Sequence, residues 1–481
     1  AHLERHPQVR AVVNFVPVLL EQIEDYVAQF DAGDFRDPLL RLLARESLDC
    51  LEAEERALLL SVCIPGNHAR MVAPYPRFER LCRLFQPIAG QGDVAAAYLS
   101  GAYFADLLVW YHLVWTGETE RRRQPLLAEL MSKGERFTLE DRRRLLALMG
   151  ETLRGLMPRY QALAGRGQIE LSATPDTHPL APLLLDFAAA REAQPELPLP
   201  MSHFYPGGRT RVDRHIALAR ASHERRFGRP PAGMWPAEGA VSTVFLQQLA
   251  IRGCRWAASS QGVLANSLRR HQAEVPPDAH YRAWRLASAP GLALFFRDER
   301  LSDLIGFEYA KWHGRDAAQH FVDQLGRIRE AAPVGATPLI CVILDGENAW
   351  EHYPYNAYYF FEDLYGLLAA QPWLGTTTFS DWLDRHPDRV QTLPALVAGS
   401  WVYGTFSTWI GEPDKNRAWD LLCAAKQAYD LVMDSGRLDA EAQRAAEAQL
   451  AVCEGSDWFW WLGPYNTQEA VASFDALYRA N

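Results

Sequence analysis

The chain has 481 residues, of which 48% are hydrophobic, so it is long enough to bury the core of a barrel with an appended domain. Its formal net charge is −10, with 59 acidic and 49 basic side chains and no basic run. Nucleic-acid binding needs clustered cations, so this charge balance argues against that function. The sequence also lacks a charge-free apolar run of about 20 residues, which a membrane span requires.

Cysteine and aromatic usage narrow the class of protein further. The seven cysteines are scattered and form no CxxC pair, which predicts reduced, buried thiols in a cytoplasmic protein. Aromatic residues are abundant, with 15 Trp, 18 Tyr and 21 Phe. Most of them belong in a core. Sugars, however, present flat C–H faces that pack on aromatic rings, so a ring-rich cleft would suit carbohydrate.

Short apolar runs alternate with helical stretches along the chain. The first predicted strand, at residues 11–15, is followed by a mainly helical region over about 18–165, which we interpret as an insertion in one βα connection. Six further runs predict strands at residues 169–173, 233–235, 254–258, 292–296, 339–344 and 376–379. Seven such strands favour a closed or nearly closed β/α barrel. A doubly wound sheet is the alternative, but no GxGxxG motif follows any of these runs.

The strand signal fades after about residue 385, and residues 415–450 alternate apolar and polar side chains at helical spacing. We therefore predict an α/β fold with two parts. A catalytic barrel spans 1–385 and includes the helical insertion, and a C-terminal helical domain spans 386–481.

Two acids follow predicted strands at positions that barrel enzymes use for catalysis. The run 339–344 ends abruptly in Asp345, and the short run 233–235 leads to Glu238. A barrel strand delivers the residues at its carboxyl end to the catalytic mouth. Paired carboxylates match glycosidic cleavage, in which one attacks the anomeric carbon and the other, protonated, donates to the leaving oxygen. The alternative is that Asp345 caps a helix and Glu238 is a surface acid.

Further polar and aromatic residues near these strand ends are candidate substrate contacts. His178 either hydrogen-bonds a sugar hydroxyl or has a structural role, and Arg297 either orients a carboxylate or forms a structural ion pair. Three tryptophans within 458–461 predict that at least one faces a cleft, although packing between domains is an equal alternative. The candidate substrate-binding residues are His178, Trp235, Arg297, Asp298, Glu347, Trp350, Trp401, Asp457, Trp458 and Trp460.

Four short motifs occur in order along the chain. They read ELSATPDTHPL (170–180), GMWPAEGAVS (233–242), LDGENAWEHY (344–353) and SDWFWW (456–461). This ordered set resembles the second to fifth of the five conserved regions of glycoside hydrolase family 57. The resemblance implies an incomplete (β/α)7 TIM-like barrel followed by a helical bundle that contributes to the cleft. It also implies Glu238 as nucleophile, Asp345 as general acid/base, retention of configuration, and no metal or organic cofactor.

Residues 399–419 look most similar to the amylopullulanase and α-amylase branch of that family. The resemblance therefore implies hydrolysis of an α-glucan or maltooligosaccharide. A 4-α-glucanotransferase or branching enzyme on the same scaffold is the alternative. The family's first region, a His-rich HxHQP motif, has no match, since residues 2–8 read HLERHPQ. We expect that region to lie upstream of Ala1.

Two other classes of protein compete with this reading. A non-catalytic glucan-binding protein would keep the cleft without the chemistry; the two acids count against it, and the unmatched first region counts for it. A metal-dependent hydrolase, such as a polysaccharide deacetylase or class II α-mannosidase, needs a His/Asp metal set. No HxH or HxxxH pair lies beside a strand-end Asp. Linkage preference, the choice of water or sugar as acceptor, and oligomeric state stay open.

Overall fold

A computed structural model of the protein describes residues 1–64, 66–85, 96–271 and 274–481, without the side chain of Trp350. In these residues seven strands form one sheet. The strands are β1 (Ala11–Phe15), β2 (Ile169–Ala173), β3 (Gly233–Met234), β4 (Trp256–Ser260), β5 (Trp284–Leu286), β6 (Ala293–Arg297) and β7 (Gln391–Leu393). Their order is β1-β2-β3-β4-β6-β5-β7, and every neighbouring pair is parallel except β5 and β6. This sheet and its flanking helices confirm the predicted α/β class.

Five predicted strands, corresponding to β1, β2, β3, β4 and β6, are confirmed to within two residues. The strand predicted at 339–344 is wrong over most of its length. It forms a single parallel bridge, between Cys341 and Arg297. Two residues further along the chain, the N–H of Ile343 donates to the hydroxyl of Ser302 at 3.2 Å. This N–H is therefore not available to a neighbouring strand, and the backbone pairing stops after one bridge.

The strand predicted at 376–379 is also wrong, because Thr378 begins the helix Phe379–Arg385 and its hydroxyl accepts the N–H of Asp381 at 3.3 Å. The sequence patterns did not indicate β5 and β7, which pair with each other in parallel. Each has three residues and a polar central one, so neither contains an apolar β-branched run. Because β7 lies beyond residue 385, the sheet continues past the predicted domain boundary, and that boundary stays a prediction.

The described chain between β1 and β2 is helical, as predicted for the insertion. Its helices are Pro17–Ala32, Pro38–Ala44, Ala53–Val62, His68–Met71, Pro76–Phe85, Gly101–Trp115, Glu118–Arg123, Pro125–Lys133 and Leu139–Gly165, after a short N-terminal helix His2–Arg5. They enclose a hydrophobic core of their own, which includes Leu43, Phe78 and Leu108. The longest helix begins with a capping box, in which Thr138 and Asp141 each accept the other's backbone N–H.

Helices also follow β2 and cover the sheet. They are Ala181–Leu185, Ala190–Ala193, Gly208–Phe227, Thr243–Ile251, Gln261–Arg270, Glu299–Asp303, Gly314–Ala331, Gly346–His352, Tyr358–Ala370 and Phe379–Arg385. Short 3₁₀ turns lie at Phe187–Ala189, Ala237–Gly239, Ala279–Tyr281, Tyr309–Lys311, Pro354–Ala357 and Pro387–Arg389, and a π-helical turn at Leu304–Glu308. The C-terminal region contains Pro413–Asp434, Ala440–Cys453, Asp457–Trp461 and Gln468–Ala480, which confirms its helical character. None of the helices in the described ranges is long and apolar enough to span a membrane.

Gly233 shows how packing within the sheet positions the chain after β3. A Cβ atom at Gly233 would lie 1.9 Å from the ring of Trp256 on β4, so only glycine fits there. Trp256 is buried, and its indole N–H donates to Glu170 on β2 at 2.7 Å. This contact between three neighbouring strands fixes the point at which the chain leaves β3 and turns toward Glu238.

Candidate active site

Several predicted site residues lie beyond the carboxyl ends of neighbouring strands. His178 follows β2, Glu238 follows β3, and Arg297 is the last residue of β6. Asp345 follows the segment that bridges to β6. Because the carboxyl ends of parallel strands meet at one edge of a sheet, these side chains converge on the same cleft.

Glu238 is held by hydrogen bonds from two distant parts of the chain. Trp401 donates its indole N–H to Oε2 at 3.0 Å, and the hydroxyl of Ser456 donates to Oε1 at 3.4 Å. Nδ1 of His178 lies 4.0 Å from Oε1. The Glu238 backbone is left-handed, with φ 58° and ψ 23°, which is uncommon for a non-glycine residue. Such conformations persist where the surrounding contacts enforce them, as they do here.

The loop carrying His178 packs against the turn that presents Ser456. His178 Nδ1 is hydrogen-bonded to the Ser456 hydroxyl at 2.7 Å, and the backbone N–H of Ser456 donates to the carbonyl of His178 at 2.9 Å. The Thr177 hydroxyl donates to the carbonyl of Ala451 at 2.6 Å. Burial lowers the pKa of His178, so the neutral ring is favoured. The imidazole thereby orients the hydroxyl that holds Glu238.

Asp345 lies on the exposed side of the cleft. It occupies the N-cap position of Gly346–His352, but its side chain accepts no hydrogen bond from that helix, so the carboxylate is not used as a cap. Partial desolvation by the cleft walls raises its pKa to about 6, and repulsion from Glu347 and Glu238 adds to the shift. His178 and Arg297 act in the opposite direction. The charge of Glu238 acts on Asp345, so the two side chains lie within electrostatic reach of each other.

Burial raises the pKa of Glu238 to about 7. The hydrogen bonds from Trp401 and Ser456 oppose this shift, while the negative charges of Asp457 and Glu347 add to it. Both carboxyls thus have pKa values raised toward neutral pH, which suits a pair in which one group must be protonated and the other ionised.

Aromatic side chains form the wall beside Glu238. The rings of Trp235 and Trp401 meet edge to face, with centroids 5.2 Å apart. The guanidinium of Arg297 lies 5.4 Å from the centroid of Trp401. Arg297 also donates to the carbonyl of Ile343 at 2.7 Å and pairs with Asp303 at 2.5 Å. Arg297 thus has a structural ion pair, and it also connects the Trp401 ring to the segment that precedes Asp345.

The structure places Asp298 away from any substrate. Its side chain is 2% exposed, and its carboxylate accepts the N–H of Leu301 at 2.7 Å and the hydroxyl of Tyr281 at 2.8 Å. It caps the helix Glu299–Asp303, which accounts for an acid at this strand end. We therefore leave Asp298 out of the proposed site.

The tryptophans of the SDWFWW motif differ in their surroundings. Trp458 donates its indole N–H to the carbonyl of Val452 at 2.8 Å and packs on Tyr478, 5.3 Å between centroids, so its role is structural. Trp460 is half-buried and contacts Tyr465. Asp457 and Glu347 are exposed, and both act on Glu238 through their charges. The side chain of Trp350, another candidate, lies outside the described residues.

Two important residues were not among the sequence candidates. Ser456 lies inside the SDWFWW motif, directly before Asp457, so its position was a usable signal. Glu454 is fully buried and accepts hydrogen bonds from Tyr205, Arg211 and His215 at 2.6–2.7 Å. All three partners are more than 230 residues away along the chain, and no local pattern could reveal them. This cluster supports the turn that carries Ser456.

A family model described as Glycosyl hydrolase family 57 matches residues 104–394. The chain belongs to glycosyl hydrolase family 57. Members of this family break or transfer glycosidic bonds, so the predicted family and enzyme class are confirmed. Among proteins of curated function, no sequence matches the chain significantly.

Solved structures of two family 57 branching enzymes and of an α-amylase share the fold. A branching enzyme from Pyrococcus horikoshii superposes with a TM-score of 0.56 at 16% identity, covering 100% of this chain and 80% of its own. A branching enzyme from Thermococcus kodakaraensis gives 0.53 at 16% identity over 78% of each chain. The α-amylase AmyC from Thermotoga maritima gives 0.50 at 14% identity, over 98% of this chain and 92% of its own. At these identities the likeness establishes the fold alone.

Proposed function

We propose that the protein is a retaining glycoside hydrolase of α-glucans, of the α-amylase or amylopullulanase kind, with Glu238 as nucleophile and Asp345 as general acid/base. The observation that carries the proposal is the pair of carboxylates at one edge of the sheet. One is fixed by Trp401 and Ser456, and the other is left unused by its own helix. A non-catalytic glucan-binding protein has no need for two carboxylates placed in this way.

In the proposed double displacement, a Glu238 oxygen attacks the anomeric carbon while Asp345 protonates the leaving oxygen. Asp345 then accepts a proton from water, which displaces Glu238 and restores the starting configuration. Burial raises the pKa of both carboxyls, to about 7 for Glu238 and to about 6 for Asp345. A bound glucan would cover the exposed Asp345, remove its water and raise its pKa, moving the proton to the acid position.

Product analysis tests this function. Purified protein is incubated with maltoheptaose and with pullulan, and the anomeric configuration of the first product is followed by NMR. We expect release of reducing ends with the α-configuration retained, and release of maltotriose from pullulan would add α-1,6 linkages to its range. A shifted ladder of oligosaccharides without reducing-end release would instead assign the 4-α-glucanotransferase or branching reaction. An absence of any product would contradict the proposal.

The proposed mechanism also predicts a bell-shaped dependence of kcat/KM on pH. Below about 6 both carboxyls are protonated and the nucleophile is lost, whereas above about 7 both are ionised and the acid is lost. The negative charge of Glu347 raises both pKa values. We therefore expect Glu347→Gln to shift the profile toward acid, by about half a pH unit for a water-screened charge. A profile that stays in place, or moves toward alkaline pH, would contradict this.

The seven cysteines are free thiols, and all except Cys50 are buried. Buried, unpaired thiols support our inference that the protein acts in the cytoplasm. The proposed partner is the α-glucan or maltooligosaccharide substrate.

A further inference from the structure

Tyr465 presents an aromatic ring on the cleft side of the C-terminal region. The residue is 56% exposed, and its ring centroid lies 5.7 Å from that of Trp460. Burial of the hydroxyl end raises the pKa of Tyr465 to about 12, and the charges of Glu412 and Glu238 contribute to the shift. Trp460 in turn donates its backbone N–H to the carbonyl of Ser456 at 3.3 Å, and the Ser456 hydroxyl donates to Glu238, so Tyr465 contacts the turn that holds the proposed nucleophile.

The hydroxyl of Tyr465 is fully engaged within the protein. Lys415 Nζ donates to the hydroxyl oxygen at 2.8 Å. The hydroxyl hydrogen is directed to the carbonyls of Trp460 at 3.0 Å and Thr408 at 3.2 Å. Because these contacts fix the far end of the side chain, the ring is held in one orientation while its surface stays open to solvent.

The contact between Lys415 and the Tyr465 hydroxyl costs free energy of folding. Its side chain is fully buried, and across the described residues it forms no ion pair; its hydrogen bonds go to the neutral oxygens of Tyr465 and Thr408. Burial lowers its pKa to about 8. A buried ammonium without a carboxylate partner costs free energy. A tyrosine without a binding role gains nothing from such a fixed orientation. A ring that binds a ligand gains affinity, which offsets the free energy lost by burying Lys415.

We propose that Tyr465 is a sugar-stacking subsite, on which a glucosyl unit distant from the cleaved bond packs its C–H face. A rigid ring loses little conformational entropy when a sugar binds, so it can add affinity for chains long enough to reach it. Tyr465 then selects long α-glucans over short ones. This inference rests on the proposed function for its substrate class.

Binding measurements in a Glu238→Gln background test the subsite without turnover. The dissociation constants for maltoheptaose and maltose are measured by calorimetry, with and without Tyr465→Ala. We expect Tyr465→Ala to raise the constant for maltoheptaose about 5- to 10-fold, as for loss of one aromatic contact, and to leave that for maltose unchanged. Tyr465→Phe keeps the ring but loses the anchor, so its effect should be intermediate. Tyr98→Ala, at an exposed tyrosine of the helical insertion, is the matched control.

The outcomes separate this inference from the proposed function. If Tyr465→Ala matches Tyr98→Ala on both sugars, or if maltoheptaose does not bind, the subsite is wrong. If the wild-type chain cleaves no α-glucan but maltoheptaose binding depends on Tyr465, the proposed function fails and the subsite stands. In an active wild-type background, Tyr465→Ala should raise KM for maltoheptaose and leave kcat unchanged, because the contact is equal in ground and transition states.

Discussion

Replacing Glu238 with Gln is expected to lower kcat on maltoheptaose by about 10⁴-fold or more, as removal of a catalytic nucleophile does. The amide cannot form a covalent bond to the anomeric carbon, yet its oxygen can still accept the indole N–H of Trp401. The fold should therefore persist, with an unchanged unfolding temperature. The matched control is Glu308→Gln, at an exposed acid paired with Lys311, which should keep full activity.

Chemical rescue makes this prediction sharper. Shortening the side chain in Glu238→Ala leaves space for a small external nucleophile such as azide. We expect azide to attack from the face that Glu238 would use and to release a glycosyl azide of inverted configuration. Retention of more than a tenth of the wild-type rate in Glu238→Gln, or a rescued product of retained configuration, would remove Glu238 from the role of nucleophile.

The second large effect is expected on stability, at Glu454. Its carboxylate is fully buried and pairs with Arg211 and His215. Glu454→Gln keeps the size of the side chain but removes the nearest counter-charge of the buried Arg211, which keeps only the longer contact to Glu447 at 3.5 Å. Breaking a buried pair in this way costs about 3–5 kcal/mol. Urea unfolding should show a markedly lower midpoint, whereas Asp475→Asn, in an exposed pair with Arg479, should change little.

The same carboxylate predicts how stability depends on pH. The hydrogen bonds and charges of His215 and Arg211 outweigh the desolvation of Glu454 and lower its pKa to about 2, compared with about 4.3 for an unfolded chain. Its contribution, about 3 kcal/mol, is present above the unfolded value and is lost as pH falls toward 2. Wild-type protein should therefore lose stability between about pH 5 and 2 more steeply than Glu454→Gln. Parallel pH curves for the two proteins would show that Glu454 is not held as a buried anion.

Local sequence patterns predicted the strands whose own residues show the pattern of a buried strand. The strand β6 is an apolar run that ends in Arg297, and β2 alternates apolar residues with Glu170 and Ser172; both predicted positions agree with the structure to within a residue. The run at 339–344 has the same composition but forms only one bridge, because Ile343 finds a side-chain partner in Ser302. Hydrophobic runs report burial, and burial alone does not determine whether a neighbouring strand is available.

The candidate site was likewise predictable only where local sequence carries the signal. Glu238 and Asp345 were selected because each follows an apolar run that predicts a strand, although the run before Asp345 forms only one bridge. Ser456 and Glu454 were not selected, since their roles depend on partners 218 or more residues away. Asp298 was selected as a substrate contact, but it caps a helix. The sequence shows only an acid just after a strand, and this pattern does not distinguish a helix cap from a ligand contact.

The contacts around Glu238 also set an order of events during synthesis. Trp401 and Ser456, which hold its two oxygens, come 163 and 218 residues later in the chain. A nascent chain that has been synthesised as far as Asp345 thus has both acids but not the groups that orient the nucleophile. The side chain of Glu238 is therefore oriented only after the segment that contains Trp401 and Ser456 has emerged and folded against it.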